Sequence, residues 1–257
     1  MFEVKNLVVK VQAKEIIRGV SFSLKRGSIH VVMGPNGAGK SSLAQALMGH
    51  PKYKVSGSVR LNGEEIAGVT PDVRARKGLF LAFQNPEEIE GVKVSNLVRK
   101  SQAAISGRAQ DLDAMVKARN ELIAMATRLG LDESVIARET NVGFSGGEKK
   151  RLEILQMMAL RPRVVILDEV DSGLDVDGVR LVAQAISRLN DGTRCFLIIT
   201  HYPRILKYIK PDAVHVLAGG RIVASGGPEL AHEIEERGYG HITGSKEDDE
   251  DKPEEGK

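Results

Sequence analysis

The nine residues GPNGAGKSS at 34–42 carry the spacing G-x-x-x-x-G-K-[ST], in which glycines let successive backbone N–H groups wrap a polyphosphate. A helix that starts here adds the positive potential of its N-terminus. Lys40 is placed to reach the β- and γ-phosphates of a nucleotide such as ATP, and the Ser41 hydroxyl to meet Mg²⁺. Gly34, Pro35, Asn36, Gly37, Ala38, Gly39, Lys40, Ser41 and Ser42 are therefore the nucleotide-binding candidates. A second constellation, VVILDE at 164–169, ends an apolar run in two acids. Asp168 then reaches the metal through water, while Glu169, at the strand end, polarises an attacking water. Gln84 follows LFLAF and His201 follows CFLIIT, the strand ends at which open α/β sheets hold ligands. Gln84 could ligate Mg²⁺ and orient water, and His201 could touch the γ-phosphate. A last stretch, GFSGGEKKR at 143–151, opens a helix on Ser145, Gly146 and Gly147 and then sets Lys149, Lys150 and Arg151 in its first turns. Cations are disfavoured there by the helix dipole, and no local cause for the arrangement is evident.

Positioning these groups needs a sheet. The runs IHVVM at 29–33, LFLAF at 79–83, VVIL at 164–167 and CFLII at 195–199 are largely continuous in apolar residues, as in parallel strands covered on both faces. FEVKNLVVKV and VSFSL alternate instead, and VRLNGEEI contains an Asn62-Gly63 turn signal, so short antiparallel strands are expected near the N-terminus. The roughly eighty residues between the second and third apolar runs lack a convincing strand. Leu122, Ile123, Met125, Ala126 and Leu129, then Leu152, Leu155, Met158 and Leu160, follow helical spacing, which implies a helical lobe inserted in an α/β core. A helix at 176–189 and a hairpin at 213–224 complete the expected elements.

The chain has 257 residues, 42% hydrophobic and 28% charged, the balance of a globular protein. Its apolar runs are far shorter than the ~20 residues of a membrane helix, and the N-terminus lacks a signal pattern, so a cytoplasmic location is the expectation. The single Cys195 sits in an apolar run and reads as a buried structural thiol. A net charge of +3 conceals the segment KEDDEDKPEEGK at 246–257, whose seven acids and three lysines leave +7 on the rest; such a block is expected to be a disordered tail. With only 4% aromatic residues and no RNA- or DNA-binding motif, nucleic acid is not an expected partner.

The phosphate loop, Gln84, VVILDE, the SGLD at 172–175 and His201, with FSGGE in place of the usual LSGGQ, resemble the motif set of the ABC ATPases. The resemblance implies an α/β nucleotide-binding domain over 1–243. It has a P-loop core, an antiparallel β subdomain and a helical lobe at roughly 88–160, with the acidic tail at 244–257 outside it. It also implies hydrolysis of ATP to ADP and phosphate by Glu169, with His201 and Gln84, at a metal held by Ser41, Gln84 and, through water, Asp168. Two ATP molecules would lie between two chains, each completed in trans by Ser145, Gly146, Gly147 and Glu148 of the other, with Asp175 in the D-loop. Bound ATP would offset the neighbouring cations, Lys149 and Lys150 otherwise forming a solvated face.

Most transporter subunits of that family continue LDE with Pro-Thr; here the run is LDEVDSGLD at 167–175. Together with AFQNPEEIEGV, NVGFSGGEKKRLEILQM and EERGYG, it resembles the SufC-type ATPases of iron–sulfur cluster assembly. That likeness implies SufB/SufD-type scaffold proteins as partners, docking near 84–91 and the adjoining lobe, where Glu87, Glu88 and Glu90 suit a contact. An ATP-binding subunit of a membrane transporter is the alternative, while the coiled coils of DNA-repair ATPases have no matching heptads here. No cysteine motif could hold a cluster, so cluster chemistry would fall to the partners. Val11 stands where many relatives stack adenine on an aromatic residue, which implies weaker nucleotide binding, by about one or two powers of ten.

Overall fold

The four apolar runs become the middle of a six-stranded sheet in the computed structural model, which describes residues 1–107, 112–201 and 203–243. In spatial order the strands are Arg221–Gly226, Ala213–Ala218, Ile29–Met33, Cys195–Ile199, Val164–Asp168 and Leu79–Ala82. All pairings are parallel except that of Arg221–Gly226, which closes the edge as the antiparallel arm of a hairpin. The apolar character on both faces has its expected cause. Val165 and Leu167 face one core cluster while Val164 and Ile166 face another, so each central strand is covered twice. Ile199 stands level with both Val32 and Asp168; the segments leaving these strands therefore emerge along one edge of the sheet.

The second core is shared with a four-stranded antiparallel sheet of order Lys14–Leu24, Phe2–Val11, Lys54–Leu61 and Glu64–Glu65. Asn62 and Gly63 turn the last pair with φ of 53° and 89°, the left-handed conformations that a two-residue hairpin turn requires. Helices Val94–Ser106, Leu112–Arg128 and Gly146–Leu160 fill the stretch between the second and third apolar runs and pack on the first core. That stretch also contains a strand pair the sequence reading did not anticipate, Ile89–Lys93 against Glu139–Thr140. It is too short to show an alternation, and side chains secure it: Thr140 Oγ1 donates to Val92 O at 2.8 Å and Asn141 Nδ2 to Glu87 O at 2.7 Å.

Beyond the hairpin, helix Pro228–Arg237 and the short helix Gly240–Thr243 end the described chain. The acidic stretch at 244–257 lies outside the described residues. Among the described residues no helix is long and apolar enough to cross a membrane.

Candidate nucleotide site

Strand Ile29–Met33 ends in a backbone that only glycine fits. A Cβ at Gly34 would lie 2.0 Å from the carbonyl oxygen of Leu217 on the neighbouring strand. Gly37 and Gly39 take φ of 78° and 103°, which L side chains adopt only with strain. The loop turns directly into helix Lys40–Met48, whose N-cap Gly39 offers no side-chain cap. The first-turn N–H groups therefore lack a side-chain cap, the arrangement that suits an anion at a helix N-terminus. At its other end this helix is held by Arg74, only 1% exposed, which donates to the carbonyls of Leu47 at 2.5 Å, Ala67 at 2.7 Å, Val69 at 2.8 Å and Ala46 at 3.3 Å.

Lys40 lies buried over the loop, its Nζ donating to Gly34 O at 2.8 Å and Pro35 O at 3.0 Å. Burial draws its ammonium below the ordinary lysine range, and the charges of Glu169 and Asp168 oppose that shift. Ser41 Oγ is 3.2 Å from Asp168 Oδ1 and 3.3 Å from Gln84 Oε1. Gln84 in turn donates through Nε2 to Glu169 Oε2 at 2.7 Å, and His201 Nδ1 stands 3.1 Å from Glu169 Oε1. The phosphate loop, Gln84, Asp168, Glu169 and His201 thus form one linked cluster at the ends of four strands, as their places in the sequence imply. Desolvation pushes the Asp168 carboxyl up to about 6, against the bond from Ser41. Ser41 Oγ, Gln84 Oε1 and Asp168 Oδ1 converge as an all-oxygen set, the donor type that suits a hard divalent cation such as Mg²⁺.

Glu169 is 6% exposed and has φ of 50°, a left-handed conformation uncommon outside glycine and one that collects at active sites. Two bonds fix it. Its N–H donates to Ile199 O at 2.8 Å and its carbonyl accepts from Lys150 Nζ at 2.6 Å. The next turn is braced by Asp171, whose carboxylate accepts from Thr200 Oγ1 at 3.0 and 3.1 Å and whose carbonyl accepts from Arg204 at 3.1 Å.

The structure corrects the reading of GFSGGEKKR. Lys150 is not part of a solvated face: it is 7% exposed and bonded to the backbone of Glu169. Lys149 pairs with Glu88 at 2.7 Å, and Arg151 donates to the carbonyls of Gly147, Leu129 and Gly130. The cations in the first turns therefore have local partners. The helix start has one too. Glu148 N donates to Ser145 Oγ at 3.2 Å and Ser145 N to Glu148 Oε2 at 2.9 Å, a reciprocal capping box whose S-x-x-E signature is present in the sequence. Ser145 and Gly146 remain exposed, and among the described residues Ser145 has no hydrogen bond to Glu169, Gln84 or His201, the groups that link that cluster. Asp175 likewise caps helix Val176–Leu189, accepting from Gly178 N at 2.7 Å. Val11 closes the first strand and is half-buried.

A family model described as "ABC transporter" matches residues 17–172, more than half the chain. The chain belongs to the ABC ATPase family. As a member of that family it binds ATP and hydrolyses it. The relatives of this ABC ATPase include "Vegetative protein 296" of Bacillus subtilis (strain 168), 46% identical over 242 residues that cover 93% of this chain and 92% of the relative. The "Probable ATP-dependent transporter SufC" of Escherichia coli (strain K12) is 45% identical over 245 residues, covering 95% and 99%. At that level the likeness to the SufC type is borne out. Among solved structures, the ATP-binding subunit of an ABC transporter has a TM-score of 0.77 at 23% identity over 95% of this chain and 99% of its own. The dimeric structure of a bacterial ABC transporter cassette has a TM-score of 0.76 at 20% identity over 89% and 99%. Both share the fold.

Proposed function

We propose that this ABC ATPase closes in pairs on two Mg²⁺–ATP molecules and uses the closure to change the conformation of a SufB/SufD-type scaffold during iron–sulfur cluster assembly. The observation that carries the catalytic half is the link Ser41–Gln84–Glu169–His201 beside the phosphate loop. Lys40 exchanges its two loop carbonyls for the β- and γ-phosphate oxygens. Ser41 and Gln84 would hold Mg²⁺, with Asp168 reaching it through water, and an ion bound there would supply positive charge to offset what develops on the phosphates. Glu169 takes the proton of the attacking water while Gln84 and His201 fix its carboxylate. The water oxygen bonds to the γ-phosphorus, the bond to the bridging oxygen breaks, and ADP leaves with that electron pair. In this reading His201 would also contact the γ-phosphate, a role supported by its place beside Glu169.

Ser145, Gly146, Gly147 and Glu148 then serve the nucleotide of the second chain. The exposed Ser145–Gly146 edge supports this role, since the capping box holds it in place with no loss of accessibility. Asp175, on the loop that follows Glu169, completes the same interface. In this reading the ATPase domain comprises residues 1–243, with the lobe at roughly 88–160, and works in the cytoplasm. The scaffold assignment is supported by the 45% identity to the E. coli relative named SufC and by LDEVD in place of LDE-Pro-Thr. Affinity purification of the Glu169→Gln chain with ATP tests it. Recovery of SufB/SufD-type proteins is the expected result, and recovery of a membrane permease instead would refute the scaffold reading.

A further inference from the structure

We infer that Tyr239, near the C-terminal end of the described chain, is a positioning residue for the phosphate loop. The backbone N–H of Gly34, the first residue of the loop, donates to the Tyr239 hydroxyl at 3.1 Å, across 205 residues of sequence. This inference rests on the nucleotide site proposed above and gives a role to a residue of the EERGYG stretch at 235–240, outside the motif set shared by the ABC ATPases.

The contact is built from both sides. Gly34 is buried, and its Cα lies so close to Leu217 that no side chain fits; its N–H therefore has to be satisfied within the protein. Tyr239 is half-buried, with its ring packed on the core that underlies the central sheet. It sits between helix Pro228–Arg237 and helix Gly240–Thr243, where its own carbonyl accepts from the N–H groups of Ile242 and Thr243, both at 3.0 Å, and from Thr243 Oγ1 at 3.1 Å. Ring packing and this closed turn fix the hydroxyl. The other side of the same residue is equally engaged, since the Gly34 carbonyl accepts from Lys40 Nζ at 2.8 Å. The two bonds hold successive peptide planes at the loop entrance, one through the C-terminal hook and one through the lysine.

When nucleotide arrives, Lys40 has to leave the Gly34 and Pro35 carbonyls, and the Tyr239 bond is then the one that keeps the Gly34 peptide in the wrapped orientation. Without the hydroxyl, the free loop relaxes to satisfy its buried N–H, and binding has to reverse that relaxation. The cost falls on affinity. Once the loop is closed on nucleotide, the hydrolytic groups on the other strands are unaffected.

Tyr239→Phe removes one oxygen and keeps the ring. The expected result is a Kd for ATP and for ADP raised about 2- to 10-fold alike, the span set by the net worth of one neutral hydrogen bond. KM rises by the same factor and kcat at saturating ATP is unchanged. Tyr239→Leu removes the ring as well; it should lower Tm further while weakening nucleotide binding to the same degree as Tyr239→Phe. An unchanged Kd and KM in Tyr239→Phe, whatever its Tm, would overturn the inference, as would weakened binding in Tyr239→Leu alone, which would assign the effect to packing. Lys40→Ala, measured alongside, separates the two readings. If it binds ATP as tightly as the unaltered chain, the phosphate-loop assignment itself fails; if it loses binding, the Tyr239 variants are judged on their own.

Discussion

Replacing the Glu169 carboxylate by an amide is the most direct perturbation of the chemistry, because the surrounding bonds can survive it. The amide oxygen of Glu169→Gln can still accept from Gln84 Nε2, now at 2.7 Å, and its NH₂ can donate to His201 Nδ1, now 3.1 Å away, provided the imidazole proton sits on Nε2. The backbone at φ 50° stays held by Ile199 O and Lys150 Nζ. Geometry is therefore kept while the proposed proton acceptor is lost. A positioned general base contributes about 10² to 10⁴ in rate, or about 3 to 5 kcal/mol of barrier, and this is the expected fall in single-turnover hydrolysis at saturating Mg²⁺–ATP. Nucleotide affinity should hold, because Lys40, Ser41 and the loop are untouched. The loss of a neighbouring negative charge should also bring the Asp168 carboxyl down from about 6, since Glu169 helps to raise it. A rate within threefold of the unaltered chain, with binding intact, would refute the role given to Glu169 and move the base elsewhere.

Arg74→Met deprives four carbonyls of a donor, two of them buried and two part-buried, and should lower stability by about 2 to 4 kcal/mol, seen as a fall of about 5 to 15 °C in Tm. Ser145→Ala removes one half of the capping box and should cost about 1 kcal/mol in urea unfolding, while Glu148→Ala, which removes the other half, should not add fully to it. Burial of Glu153, whose carboxylate accepts from Phe83 N at 2.9 Å, pushes its pKa from 4.5 up to about 7. The folded chain then binds the extra proton between those values, so this group's contribution to stability is fully present below about pH 4.5 and is lost as pH rises through 7. In Glu153→Gln that component of the pH dependence should vanish from urea midpoints measured between pH 5 and 8.

The central sheet was legible because burial on both faces leaves an unmistakable apolar run. IHVVM and CFLII match their strands residue for residue, VVIL extends by Asp168, and LFLAF loses its last residue. Asn62-Gly63 marked its hairpin, since few other residues tolerate those dihedrals. The strand pair Ile89–Lys93 and Glu139–Thr140 was hidden, because its four partnered residues are separated by most of the lobe and bear no pattern of their own. Within the site, Gln84, Asp168, Glu169 and His201 could be placed together because strand ends of one parallel sheet share an edge. What the sequence concealed were bonds between distant backbone and side chain: Lys150 on the Glu169 carbonyl, Arg74 behind the phosphate helix and Tyr239 on Gly34. Ser145 was different. Its partner Glu148 lies three residues on, in the S-x-x-E spacing of a capping box that the sequence itself displays.

The guanidinium behind helix Lys40–Met48 has a mechanical consequence. With Leu47 O and Ala46 O gripped by Arg74, and with room at Gly49 for nothing larger than hydrogen because a Cβ would lie 2.7 Å from the Arg74 Nε, the rod can neither lengthen by a turn nor slide along its axis. Whatever rearranges as triphosphate enters must do so ahead of the rod, in the loop and the lysine. The rear of the cradle behaves as a fixed anvil against which those few atoms move.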